Sequence, residues 1–198
     1  MAATRTLRPA SEADLGTIAA IHRAAYSRRH FTSRLTPATL IDYYRLFLSG
    51  GPTTLLLIER APDGGHEEVL GFAVCGSEIA ARIALFKRTH IGSILRASAA
   101  NPVAAGSKGI KRLVTRALHG PAGPAADYLL LSIAVARPGT GAGGMLLDAV
   151  LDHAASDGAG RIGLYVNVDN LAAINAYTSR RFTLRELYGQ QYYMERAV

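Results

Sequence analysis

A chain of 198 residues, 49% of them apolar, is long enough for one domain around a sizeable core and is expected to form a single domain over 1–198. Its formal charge of +7 is local: residues 79–126 hold eight Lys or Arg and no Asp or Glu, which points to a local anionic partner and away from general nucleic-acid binding. No apolar run is long enough to span a bilayer, residues 1–9 lack the apolar stretch of a secretory signal, and the lone cysteine, Cys75, can form no internal disulfide, so a cytoplasmic protein is expected.

The elements follow in chain order. Thr4 to Arg8 reads as a first strand. Ser11 caps a helix whose apolar positions Leu15, Ile18, Ala19 and His22 recur at helical spacing to about Tyr26. Thr36-Pro37 opens a second helix, with proline at the first helical position; Leu40, Ile41, Tyr44, Phe47 and Leu48 form its apolar face. Thr53–Glu59 and Val69–Cys75 read as strands joined by a turn at Asp63-Gly64-Gly65. Tyr128–Val135 is a continuous apolar run, as in a buried central strand. A helix from Gly141 to about Ser156 follows, then a strand over Arg161–Val168 and a helix over Asn170–Arg180. Phe182–Leu187 and Gln191–Glu195 form a closing hairpin around Gly189. The order β-α-α-β-β-(insert)-β-α-β-α-β-β predicts an α/β fold, a mixed sheet with helices packed on it.

The junction of the central strand and the next helix carries the chemistry. Arg137-Pro138-Gly139-Thr140-Gly141-Ala142-Gly143-Gly144 leads from strand to helix through a glycine-rich turn. Backbone N–H groups at a helix N-terminus attract anions, and glycine lets the backbone approach a ligand closely. A phosphate or pyrophosphate is the ligand such a turn suits. The run fits G-x-G-x-x-G, but too little chain follows for a dinucleotide-binding fold, and Asp169 lies later than that fold's usual acidic residue. No Gly-Lys-Ser/Thr follows, which excludes a P-loop.

A second constellation lies on the next unit. A strand ends before Asn170, which starts a helix, and Tyr177 follows two turns later. Together, the glycine turn and this Asn–Tyr pair resemble the GCN5-related N-acetyltransferase (GNAT) superfamily from about Asp127 to Phe182, with weaker support from Thr4 to Cys75. The resemblance implies a GNAT-like acyl-CoA N-acyltransferase fold. It implies acetyl-CoA or another acyl-CoA as cosubstrate, its pyrophosphate held by the turn Gly139, Thr140, Gly141, Ala142, Gly143 and Gly144. Backbone groups of Ile133, Ala134 and Val135 would bond the pantetheine arm, Asn170 would touch the cofactor, and Tyr177 would protonate the departing thiolate as well as lining the cofactor site. Such roles suit acetyl transfer: backbone donors stabilise a tetrahedral oxyanion, and an O–H donor assists a thiolate leaving group. Asn170 also reads simply as an N-cap, and Tyr177 as a core tyrosine.

Three positions depart from the family pattern. Pro138 stands where the turn usually begins with Arg or Gln, and Arg137 is the neighbour that would reach the phosphate instead. Leu129 stands at the usual glutamate base, so Asp127, Glu78 or a water relayed by Ser132 are the alternatives. An amine of low pKa would need no protein base. Arg181 replaces the usual glycine before Phe182.

Residues 79–126 form a basic insert. Ile110, Leu113, Val114, Ala117 and Leu118 fall on one helical face, and Ile83–Leu95 also reads as helical. With Phe31-Thr32-Ser33-Arg34-Leu35 and Tyr43-Tyr44, the insert resembles a GNAT subgroup associated with amino sugars or other small amines. The insert could cover an acceptor pocket, dock a second subunit in a homodimer, lie on an anionic membrane, bind an anionic substrate such as a nucleotide-linked sugar, or simply be solvated. His22 and His153 are expected to play no chemical role, and no cluster has metal-ligand spacing, so no metal is expected. The leading expectation is an acetyl-CoA-dependent N-acetyltransferase acting on a small-molecule amine by direct attack in a ternary complex. A protein N-terminal or lysine acetyltransferase, a non-catalytic acyl-CoA sensor and a membrane-associated interaction protein are the alternatives.

Overall fold

The computed structural model describes residues 4–26, 30, 32–60, 65, 67–92 and 126–198. Among them run β1 (Thr4–Pro9), α1 (Leu15–Ala25), α2 (Pro37–Arg45), β2 (Pro52–Arg60), β3 (Glu67–Gly76), α3 (Ile79–Thr89), β4 (Tyr128–Val135), α4 (Ala142–Ser156), β5 (Arg161–Asn167), α5 (Leu171–Thr178), β6 (Thr183–Tyr188) and β7 (Gln191–Ala197). The seven strands form one sheet in the order β1-β2-β3-β4-β5-β7-β6. Only β4 and β5 pair in parallel. The expected mixed sheet and element order are thus present.

Boundaries differ where local chemistry intervenes. A 3₁₀ turn at Glu12–Asp14 precedes α1. There the Asp14 carboxylate accepts from the Ser11 N–H and hydroxyl, both at 2.8 Å. It also takes two 2.8 Å bonds from Arg8. The Thr36 hydroxyl caps α2 by accepting from the Thr39 N–H at 3.2 Å. That helix stops at Arg45, earlier than the apolar pattern suggests: the Phe47 and Leu48 N–H groups donate to carbonyls three residues back, at Tyr44 and Arg45, and Phe47 is buried from that turn. Ile41 and Leu48 are only partly buried, and Tyr43 is buried instead. Helix α3 begins at Ile79, four residues before the expected start, and closes at Thr89. The expected Ile110–Leu118 helix and the Asp63-Gly64 pair lie outside the described residues.

The sheet separates two apolar layers. On one face Leu56, Ile58, Phe72 and Val74 pack against α1, α2 and α3 through Leu15, Ile18, Leu40, Tyr44 and Phe86. On the other, Leu55, Leu57, Ala73 and Leu130 pack against α4 through Leu146, Leu147 and Val150. The alternation along β2, and along β3 beyond its own bulge at Leu70, delivers neighbouring side chains to opposite layers. Burying one leucine of either layer contributes roughly 1.5–3 kcal/mol.

Strand β4 breaks this alternation at one residue. Cys75 pairs with Leu130, but Val74 pairs with Ser132, so Leu131 is an extra residue in a β-bulge. Tyr128 and Leu130 face the α4 layer. Beyond the bulge Ile133 and Val135 face that layer, and Ala134 faces the α1–α2 layer. Pairing with β5 covers only Tyr128–Leu130 against Ile162–Leu164. From Leu131 onward the two parallel strands separate.

Candidate active site at the opening between the central strands

The separation of β4 and β5 exposes backbone that a sheet would normally consume. The Ala136 N–H donates to the Leu70 carbonyl across to β3 at 2.8 Å. By alternation Ala134 also directs its backbone groups to β3, while Ile133 and Val135 direct theirs into the opening. For Ile133 this is visible: its N–H donates to the Tyr26 hydroxyl at 3.3 Å, and its carbonyl accepts from that hydroxyl at 3.1 Å. Of the three residues expected to offer backbone to a cofactor arm, Ala134 is therefore turned away.

The glycine turn lies at the end of this opening. Gly139 and Gly141 have φ of 81° and 80°, the left-handed region that glycine occupies without steric cost. A side chain on either would meet no atom within 4 Å, so the turn's backbone is bare on that side. Gly141 caps the 15-residue helix α4, whose first turn carries no acidic residue. Unpaired N–H groups of that first turn and the helix dipole make the junction attractive to an anion. Ala142 is buried, and Gly143 and Gly144 are half-buried.

Arginines surround the junction. Arg5 on β1 donates to the Thr140 carbonyl at 2.9 Å while pairing with Glu59 at 2.9 Å. Arg180 donates to the Gly144 carbonyl at 3.2 Å and holds Asp148 through two bonds. Arg137 behaves differently from its expected role. It pairs with Glu68 on β3, and its carbonyl accepts from the Thr140 hydroxyl at 3.0 Å. Arg5 was not legible as a site residue, because only the pairing of β1 with β2 brings it to the turn.

Asn170 caps α5: its side-chain oxygen accepts from the Ala173 N–H at 3.2 Å, and the residue is exposed. Tyr177 lies near the end of α5, 7% exposed, its ring 5.8 Å from that of Phe182. Its hydroxyl has no hydrogen-bond partner among the described residues, yet no buried side-chain oxygen or nitrogen of those residues lacks a partner. The hydroxyl therefore reaches accessible space while the ring is enclosed. Burial, reinforced by the nearby Tyr26, raises its pKa well above the ordinary phenol value. Tyr177 thus stays protonated through neutral and moderately alkaline pH.

The two carboxylates expected as alternative bases do not gather here. Asp127 precedes β4 and accepts from the Gly160 and Arg161 N–H groups at 3.0 and 2.9 Å. Those bonds hold its pKa below the usual value. Six residues of strand separate it from Ile133, roughly 20 Å at ~3.3 Å per residue. Glu78 is exposed, with φ of 56° at the start of α3. It follows Gly76, which pairs with Leu129 near the same far end of β4.

Behind Tyr26 lies a polar network that sequence reasoning did not anticipate. The Tyr26 hydroxyl is 3.0 Å from Ser132 Oγ, which is 3.3 Å from the Tyr44 hydroxyl. Tyr44 is 2.6 Å from His22 Nδ1, and His22 Nε2 is 2.9 Å from Thr32 Oγ1. Thr32 Oγ1 is in turn 2.8 Å from His30 Nδ1. The His22 and Tyr26 rings stack with centroids 4.3 Å apart. Burial pushes His22 down to about 3, with help from His30 and Arg23, and lowers His30 too. His22 recurs with the apolar positions of α1, so periodicity alone reads it as core. The bulge at Leu131, which turns Ser132 towards Tyr44, has no sequence signature in a uniformly apolar run.

Among the described residues no three His, Cys, Asp or Glu converge as a metal site. No helix there is long and apolar enough to cross a membrane.

No curated protein matches the chain in sequence. Solved structures share its fold at low identity. Arabidopsis thaliana NAA60 in complex with acetyl-CoA is 16% identical with a TM-score of 0.58, covering 98% of this chain and 99% of that one. An N-acetyltransferase from Staphylococcus aureus Mu50 is 16% identical with a TM-score of 0.61, covering 98% of each chain. A chain of the NatC complex bound to Gag peptide and CoA is 13% identical with a TM-score of 0.55, again covering 98% of each. Residues 22–182 match the acetyltransferase (GNAT) family, and the chain belongs to that family.

Proposed function

We propose that this chain transfers an acetyl group from acetyl-CoA to a primary amine of a small molecule. One observation carries the reading. The opening beyond Leu130, lined by the inward backbone of Ile133 and Val135, runs into the bare turn at Gly139–Gly141. A long ligand with a diphosphate at one end and an amide-bearing arm at the other fits that sequence of groups. The turn and the N-terminus of α4 would hold the diphosphate. Val135 would bond the arm, and Ile133 N–H would meet the thioester carbonyl once it gives up its 3.3 Å bond to the Tyr26 hydroxyl, which stays on Ser132. Family membership and the acetyl-CoA carried by a neighbour of the same fold support the choice of ligand.

The chemistry follows from that placement. The amine attacks the thioester carbon, and the developing oxyanion is stabilised by the Ile133 N–H. The C–S bond then breaks, and Tyr177 gives its proton to the thiolate. Holding the thioester by its distant diphosphate supplies orientation without a covalent enzyme intermediate. Thiol release from acetyl-CoA, measured with a panel of amino sugars, polyamines and short peptides, tests the reading. Release stimulated by small amines supports it. Stimulation by peptides alone moves the acceptor to a protein terminus or lysine, and coenzyme A binding without release leaves a sensor.

A further inference from the structure

Deprotonation of the amine has no assigned group in this chain, where Leu129 stands at the usual glutamate position. An alkyl ammonium must lose a proton before or during attack. Among the described residues no carboxylate hydrogen-bonds Tyr26, Ser132, Tyr44, His22, Thr32 or His30, and Asp127 and Glu78 lie towards the far end of β4. What does reach the opening is the Tyr26 hydroxyl, held against the Ile133 backbone.

We propose that Tyr26 accepts the proton of the attacking amine and passes it along Ser132, Tyr44, His22 and Thr32 to His30. The inference rests on the acetyltransfer reading and names the base that reading lacks. Each link is a hydrogen bond of 3.3 Å or less. Every member can both donate and accept, which a relay requires. In the productive arrangement Tyr26 turns its proton from the Ile133 carbonyl to Ser132, Ser132 donates to Tyr44, and Tyr44 to His22 Nδ1; His22 Nε2–H donates to Thr32, and Thr32 to His30 Nδ1. Before attack, one proton of the bound ammonium moves to the Tyr26 oxygen and frees the nitrogen lone pair. Each hydroxyl proton shifts one place, and His22 gains a proton at Nδ1 as it releases one from Nε2. His30 ends as the imidazolium. The free amine then bonds the thioester carbon, the thiolate leaves with a proton from Tyr177, and the second nitrogen proton, lost as the amide forms, restores the Tyr177 hydroxyl; both nitrogen protons are thus accounted for.

His22 is 2% exposed, whereas His30 is half-buried. The charge therefore does not rest on the deeply buried ring but on the one nearer solvent. Among the described residues, the groups facing the two imidazoles are Arg23 and Tyr26, from α1 and its end, Tyr44 from α2, Thr32, Ser33 and each other. Burial favours the neutral form of both imidazoles, so each can accept at Nδ1 from its hydroxyl partner. A merely structural polar core would need the same bonds but would not need them to end at the Ile133 backbone.

The test uses the full chain, acetyl-CoA and an amine active in the panel. Tyr44→Phe removes one hydroxyl from the middle of the relay, and His22→Gln removes the through-ring step. Tyr43→Phe, on an adjacent buried tyrosine outside the relay, is the control. At pH 7 kcat is expected to fall at least about tenfold in both relay variants. The loss should shrink as pH rises towards the amine's own pKa, because a free amine needs no acceptor. The KM for acetyl-CoA should stay within about twofold of the unaltered chain, and Tyr43→Phe should match that chain throughout. If one relay variant fails to fold, Ser132→Ala replaces it. Unchanged kcat, or a loss of the same size at every pH, overturns the relay while leaving acetyl transfer intact. No transfer by the unaltered chain overturns the acetyltransfer reading and the relay with it.

Discussion

The Tyr26 hydroxyl stands 3.1 Å from the carbonyl oxygen of Ile133 and 3.3 Å from its amide nitrogen. One phenol thus occupies both backbone groups that Ile133 turns into the opening. It joins the α1–α2 side of the molecule to the place where a thioester would lie, opposite Tyr177 on the α5 side.

Tyr177 is proposed as the acid that protonates the leaving thiolate. Tyr177→Phe should lower kcat by about 10²-fold, the lower end of the range for a positioned acid. Coenzyme A affinity should stay within about twofold, since only a hydroxyl is lost. Steady-state kinetics beside a binding titration measure both. Equal kcat in the two proteins removes Tyr177 from the chemistry.

The turn is sensitive at Gly141, with its φ of 80°. Space beside it is open, so a side chain is opposed by backbone strain and not by collision. Gly141→Val should destabilise the fold by about 1–2 kcal/mol and weaken coenzyme A binding at least tenfold. Urea melts and calorimetry separate the two effects. Full affinity in the variant would mean that the diphosphate lies elsewhere.

Asp127 serves the backbone in this structure. Asp127→Asn should cost about 1–2 kcal/mol through weaker bonds to the Gly160 and Arg161 N–H groups. It should leave kcat unchanged across pH. A lost limb of the pH profile would restore Asp127 as the base.

Asp14 links stability to pH. Arg8, together with the Ser11 N–H and hydroxyl, holds its carboxyl well below the usual 3.8. The folded pKa is thus lower than the unfolded one. Its contribution is present in full above pH about 4 and is lost as pH falls through the folded value. Asp14→Asn should remove about 1–3 kcal/mol at pH 7 and flatten the acid side of the stability curve. Urea melts from pH 2 to 7 provide the comparison, and parallel curves would deny the linkage.

Arg181 adopts φ of 65° just before Phe182, where a non-glycine residue is strained. Arg181→Gly should stabilise the fold by about 0.5–1 kcal/mol, after the added freedom of the unfolded chain is discounted. Thermal unfolding reads the shift. A lower melting temperature would show that the arginine side chain offsets its backbone strain.

Much of this architecture was legible in residue order. Apolar periodicity at Leu15, Ile18, Ala19 and His22, the Thr36-Pro37 start and the Gly141 junction each mark an element through local chemistry, and each element is present. Asn170 as a cap follows from the same local rules. What was not legible depends on register. Tyr128–Val135 is apolar on both faces, so nothing in it marks Leu131 as the extra residue that reverses the alternation. That reversal decides that Ser132 meets Tyr44 and that Ala134 turns from the opening. Arg5 reaches Thr140 from 135 residues away, and Arg137 goes to Glu68. Such pairings are set by tertiary packing and leave no pattern along the chain.

The most direct measurement is isothermal titration of the purified chain with coenzyme A and acetyl-CoA, repeated with Gly141→Val. Saturable one-to-one uptake with a dissociation constant on the order of 1–100 μM, weakened at least tenfold by the substitution, is the expected result. No heat of binding from either ligand would contradict a diphosphate site at the head of α4 and the chemistry built upon it.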